Sequence, residues 1–274
     1  MSCPDCFRGG AATGTPSGTY STLHGHKTYI ATPKDTSSTS TSNSNSTIIL
    51  YTDAFGHLLP NNLLLSDALS QATGFRVLCP DIIPGGGMSP AVLPLLDTFS
   101  SPSASYLSKG IAIARAMVYV IPFFARAGPD KPASTGRTVE YAKAVKKEVG
   151  EGKVGVVGYC WGGYQSLNVA SLDEKIVEAI FIAHPAKFEA TQVVKAVEKG
   201  VKVSFAHAGE DMSLPMAKVD ETKRVMEGKE EFEVKVYEGC VHGFAVRATP
   251  GKEKEANAAD EALQQAVEWF KKWL

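Results

Sequence analysis

The chain is poor in cysteine, in net charge and in long apolar runs, and each shortage removes a class of protein. Five of its 274 residues are cysteine: Cys3, Cys6, Cys79, Cys160 and Cys240. An odd number, in a chain long enough to bury its own core, argues against a disulfide scaffold. The formal net charge of −1 leaves no field to hold a nucleic-acid backbone or an anionic membrane. No apolar run reaches the roughly 20 residues that a membrane span needs, and the opening MSCPDCFRGG lacks the apolar stretch of a secretory signal. These absences predict a soluble cytoplasmic protein with neither a nucleic-acid nor a membrane partner; they leave its oligomeric state open. Cys3 and Cys6 form a C-x-x-C pair without the strand-to-helix setting of a redox motif or the further ligands of a zinc site. The pair reads as part of a reduced tail over 1–18.

What is present is an ordinary globular composition, 44% hydrophobic and 21% charged, in a length that α/β folds often use for one domain. Residues 33–46 (PKDTSSTSTSNSNS) are too polar to bury surface and read as a surface loop. Residues 19–30 hold one or two short edge strands. From residue 47 apolar strands alternate with amphipathic helices. Strands are predicted at 47–51, 75–79, 153–157, 177–183, 201–206 and 232–237. Helices are predicted at 61–73, 136–149, 164–172, 190–198, 214–227 and 256–274. Continuous apolar strands between such helices predict a single domain over 19–274, with a mostly parallel sheet covered on both faces. Ligands bind such sheets at the carboxyl ends of the strands, which gathers the loops after Tyr51, Val157, Ala206 and Tyr237 around one site. Residues 81–135 form a variable region over that site, with a helical stretch at 107–124 that Pro122 is expected to break.

One turn carries the chemistry. Gly158-Tyr159-Cys160-Trp161-Gly162-Gly163 follows the strand KVGVV and precedes a helix, the G-x-nucleophile-x-G pattern with cysteine as nucleophile. Such a turn lifts the side chain above the sheet in a strained conformation, and small residues two positions either side let the helix and the neighbouring strand close in. It also sets the sulfur at a helix N-terminus, where free N–H groups favour a thiolate, and makes the Trp161 N–H an oxyanion donor. Partners appear in the chain order expected of this elbow, acid before histidine. Asp211 follows the strand at 201–206, and His242 follows the strand at 232–237. His242 can take the thiol proton and Asp211 can orient the imidazole. Glu210 is an alternative acid beside Asp211. Of His24, His26, His57, His184 and His207, only His184, in Ala183-His184-Pro185, is placed to border the pocket.

At these residues the chain resembles the dienelactone hydrolase family, an α/β-hydrolase-fold family. The resemblance spans roughly 20–274 without the Ser/Thr loop. It is carried by Gly158 to Gly163, Gly209-Glu210-Asp211, His242-Gly243-Phe244 and Cys79-Pro80-Asp81, and Cys3-Pro4-Asp5-Cys6-Phe7 is similar to fungal members. The resemblance implies hydrolysis of small lactones or esters through an acyl-cysteine, with no metal or organic cofactor. It implies that Asp53, in Asp53-Ala54-Phe55-Gly56, stands where the family carries a glutamate that modulates the resting cysteine, one methylene shorter here. It makes the Ala54 N–H the second oxyanion donor and Arg247 a binder of substrate carboxylate, a task suited to a planar guanidinium. The family's second arginine and its tyrosine have no counterpart that can be placed in 81–135, and Pro84-Gly85-Gly86-Gly87 departs from the usual continuation. Both point to a substrate larger or less anionic than a dienelactone. Two other readings stay open: a non-hydrolytic binding or cyclisation component on the same scaffold, and a redox thiol at Cys160 paired with Cys240.

Overall fold

The computed structural model describes residues 14–34, 46–101, 103–211, 213–248 and 252–274. The Cys3/Cys6 pair and most of the expected tail and Ser/Thr loop lie outside them. Eight strands form one sheet. They are β1 (Thr19–Leu23), β2 (His26–Ala31), β3 (Thr47–Tyr51), β4 (Arg76–Pro80), β5 (Val154–Tyr159), β6 (Ala179–Ala183), β7 (Lys202–Ala208) and β8 (Phe232–Tyr237), in the order β1-β2-β4-β3-β5-β6-β7-β8. The pairs from β4 through β8 are parallel; β1–β2 and β2–β4 are antiparallel. Of the predicted edge strands only β1 is an edge, because β2 pairs on both sides.

Eight α-helices connect and cover the strands: α1 (Pro60–Thr73), α2 (Leu93–Ser100), α3 (Tyr106–Ala127), α4 (Pro132–Val149), α5 (Trp161–Ala170), α6 (Ala190–Glu198), α7 (Met216–Val225) and α8 (Glu253–Trp273). Crossovers between parallel strands are right-handed. The step from β3 leftward to β4 therefore sets α1 on one face, and the steps rightward from β5 set α5 and α6 on the other. α8 packs on α1 and on β6, while α4 packs on α5. Strands β3, β5 and β6 are buried along their whole length, as expected of parallel strands with both faces covered. This is the α/β-hydrolase fold.

One expectation for 81–135 is corrected. Helix α3 runs from Tyr106 to Ala127 straight through Pro122. Proline there costs one hydrogen bond to the carbonyl of Val118, but both residues are exposed, so water can satisfy that carbonyl. Among the described residues α3 is also long and apolar enough to cross a membrane. The helical stretch expected at 107–124 thus lies within a 22-residue helix.

Candidate active site

Cys160 sits between β5 and α5 with φ 49° and ψ −110°, a conformation that non-glycine residues rarely adopt and that functional turns hold by over-determining it. The surrounding hydrogen bonds supply that constraint. The Cys160 N–H donates to the Ala183 carbonyl (3.1 Å), the Ala186 N–H donates to the Cys160 carbonyl (2.8 Å), and the Gly162 N–H donates to the Thr52 carbonyl (3.0 Å). The elbow is thus stitched to the ends of β3 and β6. Its glycines are steric requirements. A Cβ on Gly162 would lie 2.1 Å from the Tyr51 carbonyl oxygen, and one on Gly158 would lie 2.2 Å from the Ser166 hydroxyl.

His242 lies in the turn after β8 and joins the two remaining groups. Its Nδ1–H donates to Asp211 Oδ2 (2.8 Å), and its ring is also hydrogen-bonded to Cys160. Asp211 is buried and its other oxygen accepts the Ser213 N–H (2.8 Å). Glu210 is exposed, so Asp211 is the acid that reaches the imidazole. Burial opposes a charge on His242, but the Cys160 sulfur and the Asp211 carboxylate outweigh it and push its pKa up to about 10. Both neighbours thus favour the protonated imidazole.

The segment after β3 forms the opposite wall. The N–H groups of Ala54 and Trp161 have no backbone partner among the described residues, which leaves both open to an oxyanion. The Ala54 carbonyl is fixed by the Met88 N–H (2.8 Å). Asp53 is buried, accepting from the Phe55 N–H and from Asn62 Nδ2, each at 3.0 Å. Burial raises its pKa, against the nearby positive charge of Arg247 and these hydrogen bonds. Arg247 lies with its guanidinium 5.3 Å from the centre of the Phe55 ring, and its Nε is buried without a partner. The charges of Arg247 and His242 thus both act on Asp53, which is hydrogen-bonded to Asn62.

His184 borders the site from β6. It is fully buried, has a φ of 35°, and packs edge-to-face on His242 with ring centres 5.1 Å apart. Burial, helped by the charge on His242, holds it neutral. Cys240 is buried and unbridged, and burial pushes its thiol up to about 11. Sequence reasoning missed Asn62, whose only signal was a pair of amides, Asn61 and Asn62, inside an otherwise apolar helix start. It also missed Arg126, which donates to the carbonyls of Pro84, Gly86 and Gly87 (3.2, 3.0 and 3.3 Å) and so holds the loop that backs Ala54.

Residues 27–274 match the model of the dienelactone hydrolase family. The chain belongs to that family. Among its relatives, a protein named hydrolase tropI from Talaromyces stipitatus is 24% identical over 98% of this chain and 95% of its own. Dienlactone hydrolase 1 of Gibberella moniliformis is 28% identical over 98% of this chain and 93% of its own. A crystal structure of a dienelactone hydrolase from Anabaena variabilis superposes with a TM-score of 0.57 at 14% identity, covering 95% of this chain and 98% of that one, which bears on the fold. This dienelactone hydrolase family member is accordingly a hydrolase of the carboxylic ester and lactone class.

Proposed function

We propose that the protein hydrolyses small lactones or activated esters through an acyl-enzyme at Cys160, with Asp211 and His242 completing the triad. The observation that carries this reading is His242, which bridges an elbow cysteine and a buried carboxylate. With the proton resting on the imidazole, the Cys160 thiolate adds to the substrate carbonyl. The oxyanion is received by the N–H groups of Trp161 and Ala54, each worth on the order of 10²-fold in rate. His242 passes its proton to the leaving oxygen, the C–O bond breaks, and a thioester remains on Cys160. The neutral imidazole then takes a proton from water, hydroxide adds to the thioester, and the acid product leaves as sulfur regains its pairing with His242. A thiolate suits an enol ester or lactone whose leaving group is already good.

Arg247 is the substrate-orienting group in this scheme. Its guanidinium, with one buried N–H unpartnered and Asp53 nearby, is suited to a carboxylate on the substrate. Asp53 modulates the site through Arg247 and His242 rather than by touching the sulfur. No cofactor enters the scheme, and the partner is the small-molecule ester or lactone itself.

The test is turnover of a panel of small lactones, aryl esters and thioesters, with the acyl-enzyme trapped by acid quench and weighed by mass spectrometry. The wild type is expected to gain one acyl group on the peptide containing Cys160. Cys160→Ala is expected to gain none and to hydrolyse nothing; turnover retained by that variant refutes the assignment.

A further inference from the structure

Helix α3 does not match the rest of the surface. Its buried stripe is narrow: Ala112, Ala116, Phe123 and Ala127. The side away from that stripe is apolar and open to solvent, with Leu107 75% exposed, Ile121 61%, Phe124 50% and Met117 39%. At about 150–250 Å² for a fully exposed large side chain, these four expose roughly 450 Å², and with Tyr106, Ile111, Ile113 and Val118 the helix exposes on the order of 1,000 Å² of apolar surface. That exceeds the largest patch of an ordinary monomer, about 300–600 Å², and reaches the roughly 800 Å² that one partner contributes to a stable interface.

We propose that this face binds a second copy of the chain, the two α3 helices lying antiparallel across a two-fold axis beside Arg115 and Ala116. Leu107, Gly110, Ala114, Met117, Ile121 and Phe124 alternate spacings of three and four, which is the seam of a helix pair. Turned about that axis, the seam complements itself: Gly110 meets Ile121, Ala114 meets Met117, and Leu107 meets Phe124. The two inner pairs set a small residue against a large one and the outer pair sets two large ones together, and each pair is repeated by the two-fold axis, as an isologous contact requires. Lys109 and Arg115 fall outside the seam.

Gly110 supports this placement independently. Glycine weakens a helix interior, and nothing in the chain itself demands it there, since a Cβ at Gly110 would meet no atom within 4 Å. A partner's isoleucine against that backbone does demand it. A lipid surface would accept the apolar face but gives no reason for Gly110 and Ala114 to lie where the two-fold axis sets them against Ile121 and Met117. Nor can the undescribed segments cover it: residues 1–13 hold only Met1 and Phe7 as large apolar side chains, and 35–45 hold none. The contact would also steady the active site, because α3 ends at Arg126 and Ala127. Arg126 holds the 84–87 loop, and the Ala127 carbonyl accepts the Trp161 indole N–H (2.7 Å).

The inference stands on packing and is independent of the catalytic reading. Sedimentation of the full chain at about 10 µM is expected to give twice the 29.2 kDa chain mass. Gly110→Leu and Ile121→Glu should each weaken the dimer more than about 100-fold, as loss of a central contact does. Gly110→Leu, which improves the helix, should leave the thermal midpoint of the separated chain no lower. A monomeric wild type overturns the proposal, whether or not it pellets with phosphatidylcholine–phosphatidylserine vesicles. So does a dimer that survives either substitution.

Discussion

The described residues contain two sulfur–imidazole pairs, and their electrostatics run in opposite directions. Cys79 Sγ lies 3.4 Å from His57 Nε2, and the other nitrogen of His57 lies 3.4 Å from the Tyr20 hydroxyl. Cys79 is fully buried on β4, and burial pushes its thiol far up. Burial also lowers the pKa of His57, with the Asp81 charge opposing it weakly. That pair is neutral and inert. At Cys160 the imidazole is more deeply enclosed, yet its pKa is raised to about 10. Two features differ: a buried carboxylate is hydrogen-bonded to the far nitrogen, and the sulfur stands on a strained turn at a helix N-terminus. Contact between sulfur and imidazole is therefore not enough to raise the ring's pKa; the buried carboxylate and the setting of the sulfur separate the two pairs.

That contrast can be broken in graded steps. Removing the sulfur separates the pairs most. Cys160→Ala should lower kcat/KM by at least ~10⁴-fold, while Cys79→Ala stays within about 2-fold and loses about 1–2 kcal/mol of stability in urea. Asp211→Asn should make the first pair behave like the second. It is expected to cost about 10³–10⁴-fold in kcat and to move the pH at which His242 discharges down from about 10, read by NMR titration of the ring.

The same raised value has a stability consequence. Folded His242 holds its proton more tightly than the unfolded chain, with its ordinary pKa of about 6.5. Its contribution is therefore complete below about pH 6.5 and lost as pH climbs through about 10. The wild type should lose thermal midpoint over that window, and His242→Ala should lose less. Gly162→Ala strikes the turn rather than the charge. With its Cβ 2.1 Å from the Tyr51 carbonyl oxygen, it should cost about 3 kcal/mol or more in urea unfolding. Smallest is Arg247→Ala, expected to raise KM about 10-fold for esters bearing a carboxylate and to leave neutral esters unchanged.

The elbow was legible because its constraints are local. Gly158 and Gly162 are forced by atoms a few ångströms away, and a strand, a tight turn and a helix in succession leave a recognisable pattern. Asp211 and His242 were legible because each follows a buried strand whose end faces the same rim. Asn62 was not, since an amide in the first turn of α1 looks like any polar helix residue until the chain from β3 brings Asp53 against it. Nor was the extent of α3. A proline inside a helical pattern is usually read as its end; α3 runs on from Pro122 to Ala127, so the end looks premature.

The stitching of Cys160 and Gly162 to the carbonyls of Ala183 and Thr52 fixes how the site can come apart. Those two amides close onto the central strands, so releasing them to solvent means parting β5 from β3 and β6. In deuterium oxide their protons should exchange at the slow rate of whole-molecule opening, together with those of the sheet's centre. The Cys160 backbone would then stay protected through every smaller excursion of the loops around it.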